Sequence, residues 1–225
     1  MREILPIALL GGVMGLDVVC FPQMMISRPL VAGTVAGAFV GNAATGVLVG
    51  VTLELVALAT LPFGASRYPE WGSAAVVAGA LGGALHTDHA GGLTIGVLAG
   101  LTTAWIGGWT LVKLRQFNVW LSRRKRPALD AGSRGAVIGL QLAGLTGDLV
   151  RAALVTAVMY AILFPVGHAA LGVWTFSDRL SRSVVVSLAC AVAASAAWTI
   201  FHSARGARWY FAGGLAIGLA LLVAQ

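Results

Sequence analysis

One carboxylate, Glu54, stands in the apolar run GVLVGVTLELVALATLPFGAS. Deep in such a run a lone carboxylate needs a counter-charge, a proton or a polar ligand. Two roles fit. It can accept hydrogen bonds from sugar hydroxyls, or it can form a structural pair with Arg28 or Arg67. A second polar group, Gln23, Ser27 and Arg28, lies in FPQMMISRPLVAG. Pro29 disfavours a helical Arg28 and itself suits the first position of a helix. The amides at that helix start can meet a ligand, or be capped locally. Asp148 and Arg151, three apart, share a helix face and read as a local pair. His86, Asp88 and His89 superficially resemble a metal set, but the spacing reads as a polar interhelical loop and no metal is expected. Cys20 and Cys190 stand singly in apolar stretches and read as small buried residues. There is no phosphate-cradling glycine loop, nucleophile elbow or paired-cysteine motif, so no catalytic residue and no cofactor is expected.

The elements that position these groups follow from the composition. Of 225 residues, 58% are hydrophobic and 10% charged, with mean hydropathy +0.88. A typical soluble domain carries about 25% charged residues. Such a chain cannot cover a water-facing surface, so an all-α integral membrane protein is expected, as one membrane domain over residues 1–225. The net charge of +7 comes from 13 Arg and 2 Lys against 8 acids. Much of it falls in a basic loop from Lys113 to Arg134, centred on Arg123-Arg124-Lys125-Arg126. It reads as a cytoplasmic loop under the positive-inside rule rather than as a nucleic-acid surface.

Charges and small-residue breaks mark the segments. Ile4 to Phe21 is the first, and its flanks are poor for a cleavable signal. Arg28 and Arg67 bracket 38 residues with a single charge. As one helix this stretch would measure about 57 Å, nearly twice the ~30 Å hydrocarbon core. A break is therefore expected at Asn42-Ala43-Ala44-Thr45-Gly46, giving two short halves, Leu30 to Gly41 and Val47 to Leu61. Gly33, Gly37, Gly41, Gly46 and Gly50 make small-residue stripes that suit close helix packing or a sliding surface. Leu61 to Arg67 reads as a helix end and polar turn. The knot from His86 to Gly92 precedes a spanning helix, Leu93 to Val112. Beyond the basic loop come Ala136 to Leu145, Val150 to Val166, a polar connector from Asp178 to Arg182, and two spans, Val184 to Phe201 and Trp209 to Val223. Six to eight membrane segments result, some re-entrant or broken.

The run QMMISRPLVAGTVAGAFVGNAATGVLVGVTLELVALATLPFGAS resembles the IIC subunit of the mannose-class sugar phosphotransferase system, which takes in mannose, fructose, sorbose and N-acetylgalactosamine systems. The resemblance rests on Arg28-Pro29, Gly41-Asn42, Gly46 and Gly50, Leu53-Glu54 and Phe63-Gly64-Ala65. It is strong from Gln23 to Glu70 and weak from His86 to Arg134, and it takes in the Gln141 to Arg151 region and the closing spans. It implies an elevator-type sugar transporter fold in a bacterial inner membrane. It further implies a IID membrane subunit as partner, cytoplasmic IIA and IIB phosphocarriers, a higher oligomer, surrounding membrane lipid, and a hexose or amino-hexose as cargo. No residue of this chain is expected to be phosphorylated. By the same resemblance Glu54, Gln23, Arg28, Asn42 and Ser66 bind the sugar. The alternative is a IIC-like transporter or sugar-binding subunit working without phosphorylation.

Overall fold

The computed structural model describes residues 4–58, 60, 66–86, 91–173 and 177–223. Among these, the ordered elements are eight helices: α1 (Ile4–Asp17), α2 (Pro29–Phe39), α3 (Ala43–Leu58), α4 (Trp71–His86), α5 (Gly92–Asp130), α6 (Arg134–Val173), α7 (Asp178–Phe201) and α8 (Ala207–Val223). Among the described residues, α5 and α6 are long and apolar enough to cross a membrane, and α1 to α4 are shorter apolar helices.

The long run after Arg28 folds back on itself, as its length requires. Its break lies at Val40-Gly41-Asn42 rather than running on through Gly46. Gly41 turns the chain at φ +82°, a left-handed value that glycine adopts freely. The Asn42 side chain then accepts the Thr45 amide at 3.1 Å, so α3 starts one residue later, capped in the usual way. The two arms meet through glycines. A Cβ on Gly37 would stand 2.6 Å from the Gly46 Cα, and one on Gly50 would stand 2.6 Å from the Pro29 carbonyl. The glycine stripe is thus a packing seam. α4 fits against the hairpin just as closely, since a Cβ on Gly79 would meet the Gly33 carbonyl at 2.2 Å.

α4 is the axis of the molecule. Ala74 through Ala78, Ala80 and Leu81 are fully buried, among α1, α2, α3, α5 and α6. α1 lies along α6, while among the described elements α8 contacts α7 alone.

Three expectations are corrected. Most of the basic loop, Lys113 to Arg134, is helix: α5 runs to Asp130 and only Ala131 to Ser133 connect it to α6. Arg, Lys, Leu and Gln are good helix formers, and charge density does not by itself break a helix. The pieces Ala136 to Leu145 and Val150 to Val166 are one continuous α6. The connector Asp178 to Arg182 is the first turn of α7, started by the Ser177 hydroxyl, which accepts the Leu180 amide at 3.2 Å. The turn residues 61–65 and the polar residues 87–90, including Asp88 and His89, lie outside the described residues, as does the His86 side chain.

Candidate functional site

Two polar centres interrupt the apolar interior. The first surrounds the segment between α1 and α2. Asp17, 2% exposed, ends α1 and accepts the Met24 amide at 2.7 Å and the Ser27 amide at 2.9 Å. These bonds fold residues 18–28 into a compact loop. Gln23 and Met25 take φ values of 60° and 62°, a left-handed conformation that costs a non-glycine residue energy and tends to occur at functional sites. The Gln23 side-chain amide donates to the Val19 carbonyl at 2.8 Å.

The loop ends at Arg28, whose extended backbone (ψ 136°) hands the chain to Pro29 at the start of α2. The Arg28 guanidinium pairs with Glu54 of α3, with Nε donating to Oε1 at 2.7 Å and Nη2 to the same oxygen. The other Glu54 oxygen accepts the Leu30 amide at 3.3 Å. One carboxylate therefore neutralises Arg28 and caps α2 across the hairpin, so that amide is not left open to a ligand.

A cavity of about 300 Å³ opens here, walled by Asp17, Gln23, Ser27, Arg28, Thr60 and Trp71 among others. The Trp71 indole donates to the Thr60 hydroxyl at 3.0 Å, which fixes the ring in the wall. Of the five expected site residues, Gln23 and Arg28 line this cavity, and Glu54 stands directly behind Arg28. Asn42 caps α3 at the far end of α2, an 11-residue helix or about 16 Å away. Ser66 is exposed, and its carbonyl accepts Arg115 at 3.1 Å. Asp17, Thr60 and Trp71 were not singled out by sequence. The one available signal was an acid ending an apolar segment.

The second centre joins α6, α5 and the start of α4. Arg151 of α6 reaches Asp148 at 2.8 Å and Glu70 at 3.8 Å. It also donates to the Thr110 hydroxyl at 3.2 Å and the Gly107 carbonyl at 3.4 Å. Glu70 is fully buried and accepts both the Ser73 amide, at 3.1 Å, and the Ser73 hydroxyl, capping α4. The Asp148–Arg151 spacing read as a local pair, and the pair is there with Glu70 joined to it. Cys20 corrects its expectation: both cysteines are exposed, and the Cys20 thiol donates to Asp148 at 3.0 Å. Its place in a loop, rather than in a helix, puts it at the surface. Among the described residues no group of three or more metal-ligating side chains occurs.

Comparison with known proteins finds relatives of the chain. The sequence profile described as PTS system sorbose-specific IIC component matches residues 1–169. The mannose-specific EIIC component of Escherichia coli (strain K12) is 26% identical over 140 residues, 62% of this chain and 51% of its own. The fructose permease IIC component of Bacillus subtilis (strain 168) is 28% identical over 145 residues, 64% and 52% respectively. The sorbose-specific EIIC component of Klebsiella pneumoniae is 37% identical over 73 residues, 32% and 27%. The chain thus spans about half the length of the first two. In three dimensions it is similar to a chain of the cryo-EM structure of the mannose transporter ManYZ with microcin E492. The TM-score is 0.63 at 19% identity, covering 99% of this chain and 86% of that one. A second structure, described as a membrane protein, gives a TM-score of 0.69 at 18% identity, with 99% and 87% covered. Both likenesses bear on the fold.

Proposed function

The chain belongs to the sorbose-specific IIC component family of the phosphotransferase system, and from that membership we propose that it is a permease subunit holding a hexose-type sugar in the cavity beside Arg28. The observation that carries this reading is the cavity itself. It brings Asp17, Gln23, Ser27, Arg28 and Thr60 together with Trp71 around a volume at the lower end of the range for small-molecule sites. Gln23 and the Arg28–Glu54 pair supply donors and acceptors for sugar hydroxyls. Asn42 and Ser66 stand away from it and would reach the sugar only after an elevator-like shift of the α2–α3 hairpin.

On this reading phosphoryl transfer falls to soluble IIA and IIB partners. A IID-type membrane subunit completes the translocation path. On the same reading the complex is a multi-pass higher oligomer in the bacterial inner membrane. Affinity purification in gentle detergent, with mass spectrometry of what accompanies the chain, tests the partners: a IID-like protein is expected, and recovery of the chain alone counts against the reading. Uptake of labelled hexose tests the site. Glu54→Gln leaves Arg28 without its counter-charge and is expected to lower uptake at least about tenfold. Unchanged uptake assigns Glu54 a purely structural role.

A further inference from the structure

Asp17 carries a charge that its surroundings do not cancel. Its carboxylate is almost fully buried in the cavity wall. The donors it meets are the backbone amides of Met24 and Ser27, joined by the Ile26 amide and the Ser27 hydroxyl, all of them dipoles and not cations. Among the described residues no Lys, Arg or His forms an ion pair with it. It also ends α1 at the helix C-terminus, where the macrodipole is already negative. Helix stability alone therefore disfavours an acid there. The other charge in the wall, Arg28, is bound to Glu54. The Arg28–Glu54 pair sums to zero, and the excess over the cavity is one negative charge. In a small space with an apolar surround such a field is weakly screened.

We infer that Asp17 makes the cavity charge-selective, favouring an amino-hexose with a protonated amino group over the neutral hexose of the same shape. This rests on the sugar-site reading above and specifies its cargo. Anionic sugars are disfavoured by the same field, so the site also discriminates against a sugar phosphate. Gln23 and Arg28 then serve the hydroxyls, and Asp17 acts on the substituent that differs.

The test is equilibrium binding to the purified full chain, with any membrane subunit that copurifies, using matched pairs: mannose with mannosamine, glucose with glucosamine, galactose with galactosamine. In whichever pair binds, the amine is expected to bind about tenfold more tightly. Asp17→Asn should bring that ratio near one, read within each matched pair so that any change in overall affinity cancels, and Asp17→Glu should keep the preference. Equal wild-type affinity for amine and neutral sugar overturns the inference, and needs no variant to fold. A ratio unchanged in Asp17→Asn overturns it as well. If none of the six sugars binds the wild type, the sugar-site reading itself fails, and that result is distinct from a sugar site without charge preference.

Discussion

Arg151 is held between Asp148 and Glu70 with two further oxygens from α5 in reach. Removing it strands two carboxylates in an interior that cannot hydrate them. Arg151→Met is expected to destabilise the protein by about 3–5 kcal/mol, the cost of breaking a buried pair from one side. A thermal melt in detergent measures this, and a melting point within a degree of wild type contradicts it. Some of this chemistry was legible in the sequence. The i, i+3 spacing marked Asp148 and Arg151 as a pair, and isolation in an apolar run marked Glu54. Arg28 was one of two partners that spacing allowed for Glu54, and the fold chose between them. Glu70 was hidden because it stood among polar turn residues, and its partner comes from a distant helix. Asp17 was hidden because one acid at a segment end reads as a boundary. Cys20 misled because hydropathy ranks a thiol as apolar, whereas here it donates to Asp148.

The α2–α3 hairpin depends on backbone approaching backbone. Gly37→Leu places a side chain where a Cβ alone would already lie 2.6 Å from the Gly46 Cα, and no rotamer relieves a clash at Cβ. The hairpin should separate, taking the Arg28–Glu54 pair with it, so the expected outcome is loss of folded protein in size-exclusion chromatography. Gly218→Leu on α8 is the contrasting case: a Cβ there meets nothing within 4 Å, and the variant should be recovered at the wild-type level. Sequence length alone required this hairpin, because 38 residues cannot cross a bilayer once. The position of the turn was less legible, since Asn42 marks a helix cap while Ala43 to Gly46 are as compatible with a helix as with a loop. The basic stretch shows the opposite limit. Arginine density reports which side of a membrane a segment prefers, and carries no instruction to uncoil.

At the scale of the whole molecule, α5 changes character at Lys113. The apolar part, Gly92 to Val112, measures about 31 Å, close to the ~30 Å hydrocarbon core. From Lys113 the helix becomes basic, and α6 returns beside it, with Gly147 close to Leu114. Positive charge of this density belongs on the cytoplasmic side. A Lys125→Cys variant in a Cys20→Ser, Cys190→Ser background should therefore react with a membrane-impermeant maleimide only in inside-out vesicles. Labelling in right-side-out cells would reverse the assigned orientation. The paired helices beyond Lys113 extend about 27 Å, so a tilt of about 10° at their base would carry the tip through about 5 Å. Their base is where Gly107 and Thr110 hold Arg151. The α5–α6 projection thus has the geometry of a lever whose base adjoins the buried charges. A push from a bound protein at the tip would arrive at the fulcrum as a larger force over a smaller distance, and rearrangement around Arg151 would be amplified outward as travel.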